Sequence, residues 1–344
     1  MSANLRQVAE RAGVSVRTVS NVVSGFALVA PQTRERVQRV IDELGYRPNA
    51  AARHLRGGRS GLVALVLPEI ASPYFGELAG HLADRAEAYA WTLLVQQTGG
   101  DAERERELLD GVRAQTVDGL IMSPWGLSPG DLTRRPDSAP LVLLGEQDAG
   151  GLLDHVAIDN VSAAADLTRH LIETGRRRIA AVGLQPHLVN GTAARRAQGY
   201  RRALAEAGLP RHEITVERLH REDGAAAMTR LLGADPDVDA VFCFSDQLAL
   251  GAMHVALSRG LSVPGDLAVA GFDDIEDGRY ANPALTTVAP DKPAIAEAAL
   301  TCLAQRLADR DDPPRRIVVP HRLELRSSSV RAERTPSSSR HRTQ

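Results

Sequence analysis

Cysteine is nearly absent. Cys243 and Cys302 are the only two in 344 residues, and neither stands in a paired motif. A disulfide scaffold and cysteine-based metal sites are thereby excluded as organising principles. No apolar run reaches the length of a membrane span, so no segment reads as a transmembrane helix. The start, Met1-Ser2-Ala3-Asn4 ahead of a helical pattern, has no signal-peptide core, and a cytoplasmic protein is expected. The ten histidines are scattered without a His-Glu-x-x-His pattern, and no Gly-x-Ser-x-Gly, P-loop or Gly-x-Gly-x-x-Gly occurs. The sequence therefore offers no catalytic residues, no metal ligands and no cofactor motif. Lysine is scarce too: Lys292 is the one lysine among 41 basic residues, a bias that reads as composition rather than function.

What is present is unevenly distributed. The formal charge of −2 hides a basic head: residues 1–60 carry ten arginines against Glu10, Glu35, Asp42 and Glu43, a balance of +6, and the remainder carries −8. A basic face is what phosphate neutralisation requires, since each released counterion adds affinity and salt dependence. A solvated arginine-rich bundle is the plainer alternative.

The head has the pattern of a helix-turn-helix. Leu5, Val8, Ala9 and Ala12 fall on one helical face, with Asn4 as N-cap and Gln7 at the third helical position. Gly13 ends this helix and Ser15 caps the next, where Val19, Val22 and Val23 point inward. Arg17, Ser20, Asn21 and Ser24 must then line the opposite face, which is polar, short-chained and free of acids. A third helix opens at Pro31 and buries Val37, Val40, Ile41 and Leu44 before Gly45 stops it. Beyond it, Asn49 can cap a helix over residues 50–56 that ends at Gly57-Gly58. A helix this short is marginal alone, since isolated helices below about 12–15 residues rarely persist. It needs a partner to hold it, and is otherwise a flexible linker.

Residues 61–328 alternate short apolar runs with helical patterns. Leu62–Leu67, Leu93–Gln97, Gly119–Ser123, Leu141–Leu144, Ile179–Val182, Ala240–Phe244 and Leu267–Ala270 read as strands buried on both faces. Phe75–Ala90, Ala102–Ala114 and Ser162–Thr174 read as the helices between them. Such alternation predicts α/β architecture with parallel sheets. So many residues exceed one comfortable core, and two subdomains are expected. From Ser327 the chain is rich in Ser, Arg and Thr and reads as disordered.

Several spaced motifs, in order, resemble the lactose-repressor (LacI/GalR) family of bacterial transcription regulators. In the head they are Val8-Ala-x-x-Ala-Gly-Val-Ser-x-x-Thr-Val-Ser20, Thr33-Arg-x-Arg-Val37, Leu44-Gly-Tyr-x-Pro-Asn49 and Ala52-Arg-x-Leu55. In the large domain they are Ser72-Pro-Tyr-Phe75, Val117-Asp-Gly-Leu-Ile121, Ile158-Asp-Asn160, Ser245-Asp-Gln-x-Ala-x-Gly251, Ala270-Gly-Phe-Asp-Asp274 and Pro283-x-Leu-Thr-Thr287. The likeness runs from residue 4 to about residue 328.

This resemblance implies a small all-α helix-turn-helix head plus an α/β two-subdomain core like that of periplasmic binding proteins. The head would occupy residues 1–46, a hinge helix and linker 47–60, and the effector-binding and dimerisation core 61–328. Within the core, an N-subdomain of about 61–160 plus 292–320 and a C-subdomain of about 161–291 plus 321–328 are crossed by three chain segments. Residues 329–344 would form the disordered tail. It lacks the leucine heptads that make tetramers in some members, so a homodimer reading a near-palindromic DNA operator is implied. A small-molecule effector, a sugar or sugar derivative by family prevalence, would sit in the core cleft and control a repressor.

Residue by residue, the resemblance places Val16, Arg17 and Asn21 against bases in the major groove. Arg17 can bond bidentately to guanine and Asn21 to adenine, whereas Val16 can only pack on a thymine methyl or serve as another core valine. Ser15, Thr18, Ser20, Thr33, Asn49 and Arg53 would hold phosphates. Ala52, Leu55 and Arg56 would enter the minor groove, with Leu55 as the wedge. Leu28 and Ala30 replace polar residues of other members, which removes contacts there. Ser72, Tyr74, Phe75, Trp125, Glu146, Asn190, Thr192, Arg196, Asp246 and Asp273 would face the effector, a set that suits a polyol. For Asp246 a capping role is equally open, for Arg196 and Asp273 a mutual ion pair, and for Trp125 a cover over the core. Asp159 and Asn160 read as a turn.

Other classes fit less well. A secreted sugar-binding protein shares the core but not the basic head, a DNA-binding enzyme requires a catalytic constellation, and an architectural DNA-bending protein has no need of a cleft. Arg17→Ala is expected to cost about 1–3 kcal/mol of operator affinity and to relax selectivity at one base pair of each half-site. A binding series over all base substitutions checks this, and a loss uniform across sequences contradicts it.

Overall fold

The computed structural model describes residues 4–23, 28–46, 59–110, 117–134, 139–188 and 191–330. The chain divides into two compact units, Met1–Ser60 and Gly61–Gln344. Asn49, Ala52, Arg53, Leu55 and Arg56, expected in the hinge helix, lie outside the described residues, as do Ser24 and residues 331–344.

In the first unit three helices, Leu5–Ala12, Val16–Val23 and Pro31–Leu44, close one core. Val8, Ala9, Ala12, Val19, Val22, Val37, Val40, Ile41 and Tyr46 are buried in it, with Leu5, Val16, Val23 and Leu44 packed at its edge. Each helix end has a local cause. Asn4 accepts from the Gln7 amide while the Gln7 side chain accepts from the Asn4 amide, satisfying two otherwise orphaned donors. Ser15 Oγ accepts from the Thr18 amide at 3.0 Å. Gly13 and Gly45 terminate their helices at φ of 64° and 58°, where a side chain would be strained.

The second unit holds two six-stranded sheets. In the first, Leu62–Leu67 (β1), Thr92–Gln97 (β2), Gly119–Met122 (β3), Leu141–Leu144 (β4), Asp154–Ile158 (β5) and Arg316–Val319 (β11) run in the order β11-β5-β4-β3-β1-β2, parallel throughout. In the second, Ile179–Leu184 (β6), His212–Thr215 (β7), Ala240–Cys243 (β8), Ala268–Phe272 (β9), Thr286–Pro290 (β10) and His321–Glu324 (β12) run β12-β10-β9-β8-β6-β7. Only β12 is antiparallel to its neighbour. The chain passes between the sheets three times: after β5, after β10, and between β11 and β12. Helix Lys292–Ala308, which follows the second passage, packs its Ile295, Ala299, Leu300 and Leu303 into the core of the first lobe.

The central strands are continuous apolar runs because helices cover both of their faces, and β1, β3, β4, β8 and β9 are buried almost throughout. Edge strand β2 departs from the expectation of two buried faces, with Leu94 and Val95 exposed. Five strands went unread. β5 opens with buried Asp154, whose carboxylate accepts from Arg306 Nε and the Arg315 amide, each at 3.0 Å, so its strand pairing rests on partners far along the chain. The ordered core also extends past the expected start of the tail. Ser328 Oγ donates to the Val269 carbonyl, its amide donates to Ala284 O, and Ser329 Oγ meets both Thr286 Oγ1 (2.7 Å) and His170 Nε2 (2.9 Å). These short hydroxyls sew the segment to the second sheet, which composition alone hides.

Helix pairs in the second lobe touch backbone to backbone through glycines. A Cβ at Gly199 would overlap the Val161 carbonyl and lie 2.8 Å from Ala164 Cβ. Gly199→Ala is therefore expected to lower unfolding free energy by about 1–3 kcal/mol through overpacking, read from urea melts. Gly233→Ala, with open space around its Cβ, is the control.

Candidate functional sites

In the head, helix Val16–Val23 buries Val19 and Val22, which turns Arg17 fully outward. Val16 is half-buried at the edge of the core, and Ser20 and Asn21 are half-buried. Ser15 Oγ and Thr18 Oγ1 lie 2.8 Å apart in the first turn of this helix, where Ser15 Oγ also accepts from the Thr18 amide. Thr33 is half-buried in the first turn of helix Pro31–Leu44. Leu28 is 86% exposed, an apolar side chain on the surface of the head.

In the core, the carboxyl ends of the strands of both lobes converge on one cavity of about 550 Å³. Crevices outside strand carboxyl ends are where open α/β sheets bind ligands. Ser72, Tyr74, Phe75, Trp125, Glu146, Thr192, Arg196 and Asp273 all line it. Asn190 lies outside the described residues.

The apolar wall is aromatic. Tyr74 and Phe75 meet edge to face at 5.2 Å, and Phe75 stands 6.1 Å from Trp125. Trp125 is held by a buried carboxylate: Glu105 accepts from the amides of Trp125, Gly126 and Leu127 at 2.8–3.0 Å. This fixes the loop after β3 and turns the indole to the cavity. Burial pushes the Tyr74 hydroxyl pKa up, with Asp273 adding to the effect, so the phenol stays neutral.

The polar wall is a linked cluster. Arg196 Nε donates to Asn160 Oδ1 at 2.8 Å, Nη1 to the Phe244 carbonyl and Nη2 to Asp273 Oδ1 at 3.3 Å, while its guanidinium carbon sits 3.4 Å over the Phe272 ring. Much of its donor capacity is thus committed to the protein, and the ion pair with Asp273 is formed. Asn160 Nδ2 donates to Glu146, which Arg195 also approaches at 3.6 Å. Burial raises the pKa of Glu146 and, against the pull of Arg196 and Lys292, that of Asp273 to about 6.

Two expectations change. Asn160 is a cavity residue, not part of a plain turn; Asp159 caps helix Asn160–Glu173 through the Ser162 amide at 2.9 Å. Asp246 is fully buried and does not line the cavity. Nor does it cap its own helix, since Ser245 Oγ accepts from the Leu248 amide. Asp246 instead accepts from Thr287 Oγ1 at 2.6 Å and the Ile275 amide at 2.9 Å, fixing the turn that carries Asp273. The neighbouring Gln247 faces the cavity. Sequence reading also missed Glu69 and His220, one from each lobe, which meet at 2.8 Å beside the cavity. No local pattern marks them, because 151 residues separate them.

Among the described residues, no helix is long and apolar enough to cross a membrane, and no group of three or more His, Cys, Asp or Glu side chains could hold a metal.

A helix-turn-helix joined in one chain to a two-lobed α/β core with an interlobe cavity defines a DNA-binding regulator with a receptor domain. Family models agree in both parts: bacterial regulatory proteins of the lacI family over residues 4–49 and a periplasmic binding protein-like domain over residues 168–329. Catabolite control protein A of Priestia megaterium is 34% identical over 333 residues, which is 96% of this chain and 100% of that one. A solved chain described as a LacI-family regulator from Sanguibacter keddieii is 42% identical, with a TM-score of 0.73 over 79% of this chain and 99% of that chain. The transcriptional regulator CelR, solved as a cellobiose complex, is 32% identical, with a TM-score of 0.68 over 95% of this chain and 99% of that chain. The present chain belongs to the lacI family of bacterial regulatory proteins.

The buried turn makes a pH prediction. Burial, with Asp273 nearby, raises Asp246 from 3.8 to about 7. Between those values the unfolded chain has released the proton that the folded chain keeps, so this group's contribution to stability falls as pH rises through the interval. Asp246→Asn is isosteric, keeps an acceptor for the Ile275 amide, sets an amide group opposite Thr287 Oγ1 and cannot titrate. Its melting temperature is expected to fall less than that of the wild type between about pH 4 and about pH 7. Parallel curves in thermal melts would contradict the assignment.

Proposed function

We propose that this protein is a transcriptional repressor whose dimer binds a near-palindromic operator and whose operator affinity is set by a saccharide held in the interlobe cavity. The observation that carries the reading is the composition of that cavity: three aromatic rings on one side and a buried Glu146-Asn160-Arg196-Asp273 cluster on the other. Aromatic faces cover the apolar face of a sugar ring, and carboxylates and amides accept or donate to paired hydroxyls. The charged lining, Glu69, Glu146, Glu217 and Asp273 against Arg196 and Arg218, favours a neutral ligand over a phosphorylated one. The cellobiose complex of a similar regulator supports the same class of ligand.

In the head, Val16, Arg17 and Asn21 read bases, and Ser15, Thr18, Ser20 and Thr33 bind phosphates, with Asn49 and Arg53 beside the minor-groove contacts Ala52, Leu55 and Arg56. A ligand that binds one arrangement of the lobes better than another shifts the population of that arrangement and hence the fit of the paired heads to DNA. The family setting supports a cytoplasmic site of action.

The test is a thermal-shift screen of the full chain against monosaccharides, disaccharides including cellobiose, sugar phosphates and nucleobases, followed by operator-binding assays with each hit. A neutral saccharide is expected to raise the melting temperature, with about 2.7 kcal/mol of stabilisation at a hundredfold excess over Kd. It should also change operator affinity by about 5–150-fold, the direction distinguishing induction from corepression. Hits confined to nucleobases, or operator binding indifferent to every hit, would overturn the reading.

A further inference from the structure

The chain's single lysine is buried at the passage from the second lobe to the first, as the opening residue of helix Lys292–Ala308. An ammonium has three N–H donors and no acceptor, so a buried one needs three partners. Lys292 has them: Nζ donates to Glu77 Oε2 at 2.6 Å, to the Asp273 carbonyl at 2.6 Å and to the Asp274 carbonyl at 3.0 Å. Glu77 belongs to the same lobe, in helix Pro73–Ala86 against which helix Lys292–Ala308 packs, and its second oxygen accepts from the Glu276 amide of the second lobe at 2.9 Å. The Lys292–Glu77 pair of the first lobe thus grips the second lobe at three points, the Asp273 and Asp274 carbonyls and the Glu276 amide.

The groups joined here are the two walls of the cavity. Helix Pro73–Ala86 carries Tyr74 and Phe75, which line the cavity, in the same turn as Glu77. Asp273, whose carbonyl Lys292 holds, sends its carboxylate to Arg196 and the cavity. Asp273 and Asp274 lie at φ of 117° and 49°, a conformation that L side chains rarely adopt and that surrounding bonds must hold. When the lobes separate, the Asp273 and Asp274 carbonyls leave, and Lys292 loses two of the three acceptors that its burial requires.

We infer that Lys292 and Glu77 together clamp the first lobe onto the Asp273–Glu276 turn of the second, a closure that seats Asp273 for the effector and makes Lys292 a positioning residue of the receptor site. This rests on the reading of the cavity as an effector site, though the clamp itself can be measured without a ligand. Because Lys292 and the chain's α-amine are the only primary amines, lysine chemistry reports on one place.

The experiment acetylates the folded full chain with N-hydroxysuccinimidyl acetate at fixed pH and follows both amines by peptide mass spectrometry, with the α-amine as internal clock. Lys292 is expected to react more slowly than the α-amine in the wild type and about tenfold faster in Glu77→Gln, an increase that corresponds to ~1.4 kcal/mol of opening free energy. Wild-type Lys292 reacting as fast as the α-amine, or at the same rate as in a Glu77→Gln protein of native circular dichroism, overturns the clamp. A second arm titrates Lys292→Met and Lys292→Arg with cellobiose and the other neutral saccharides of the screen. Met is expected to weaken binding about tenfold with Arg recovering most of it, whereas wild-type affinity in the Met variant overturns the positioning role. If no compound binds even the wild type, the effector reading fails while the acetylation ratio still decides the clamp.

Discussion

A guanidinium taken out of water has to be matched, and the receptor domain is built around that requirement at Arg196. With 8% of its side chain exposed, it draws together the Asn160 amide at the first passage between lobes, the Phe244 carbonyl at the end of β8, and the Asp273 carboxylate at the end of β9. Removing one member of such a set leaves a buried charge unpaired, which costs about 3–5 kcal/mol. The cluster therefore fixes where three separate chain segments end and which polar atoms remain for a visitor. Burial works against both charges of the pair, lowering the pKa of Arg196 and raising that of Asp273, so the arrangement persists only because its hydrogen bonds are nearly complete.

The sheets explain why these groups meet. Parallel strands joined by helices put all their carboxyl ends on one edge, and two such sheets crossed three times by the chain face those edges toward each other. The same crossings make the cavity a point of leverage. Lys292 stands at the second passage, Asn160 at the first, and each contacts cavity groups whose partners lie on another element. A ligand filling the space between Trp125 and Asp273 touches both lobes at once and so has the differential contacts that a population shift requires.

Much of the site was legible because its residues obey local rules. The caps Asn4 and Ser15, the inward valines and the outward Arg17 follow from helical periodicity. The aromatic segment Ser72–Phe75, which forms the start of helix Pro73–Ala86, and the charged ends of β8 and β9 followed from family motifs. What failed was the local reading of short polar pairs. Asp159-Asn160 looks like a turn and is a helix cap followed by a cavity amide. Asp246 looks like a ligand or a cap and is an internal brace for the turn at Ile275. In both pairs one residue serves the backbone and its neighbour serves the cavity, and which is which depends on strand ends far away in sequence.

The amino-acid sequence by itself determined the two-part plan, the helices of the head, the central strands, and the polar outward face of helix Val16–Val23. These depend on patterns within about one turn or one strand, where side-chain spacing and backbone capping act directly. Tertiary structure alone decided that Asp154 opens a strand, that Ser328 and Ser329 are tied to the second sheet, that Glu69 meets His220, and that the one lysine joins Glu77 to the Asp273 turn. Each of these polar groups is held by a partner 40 or more residues distant, and no local pattern carries that information.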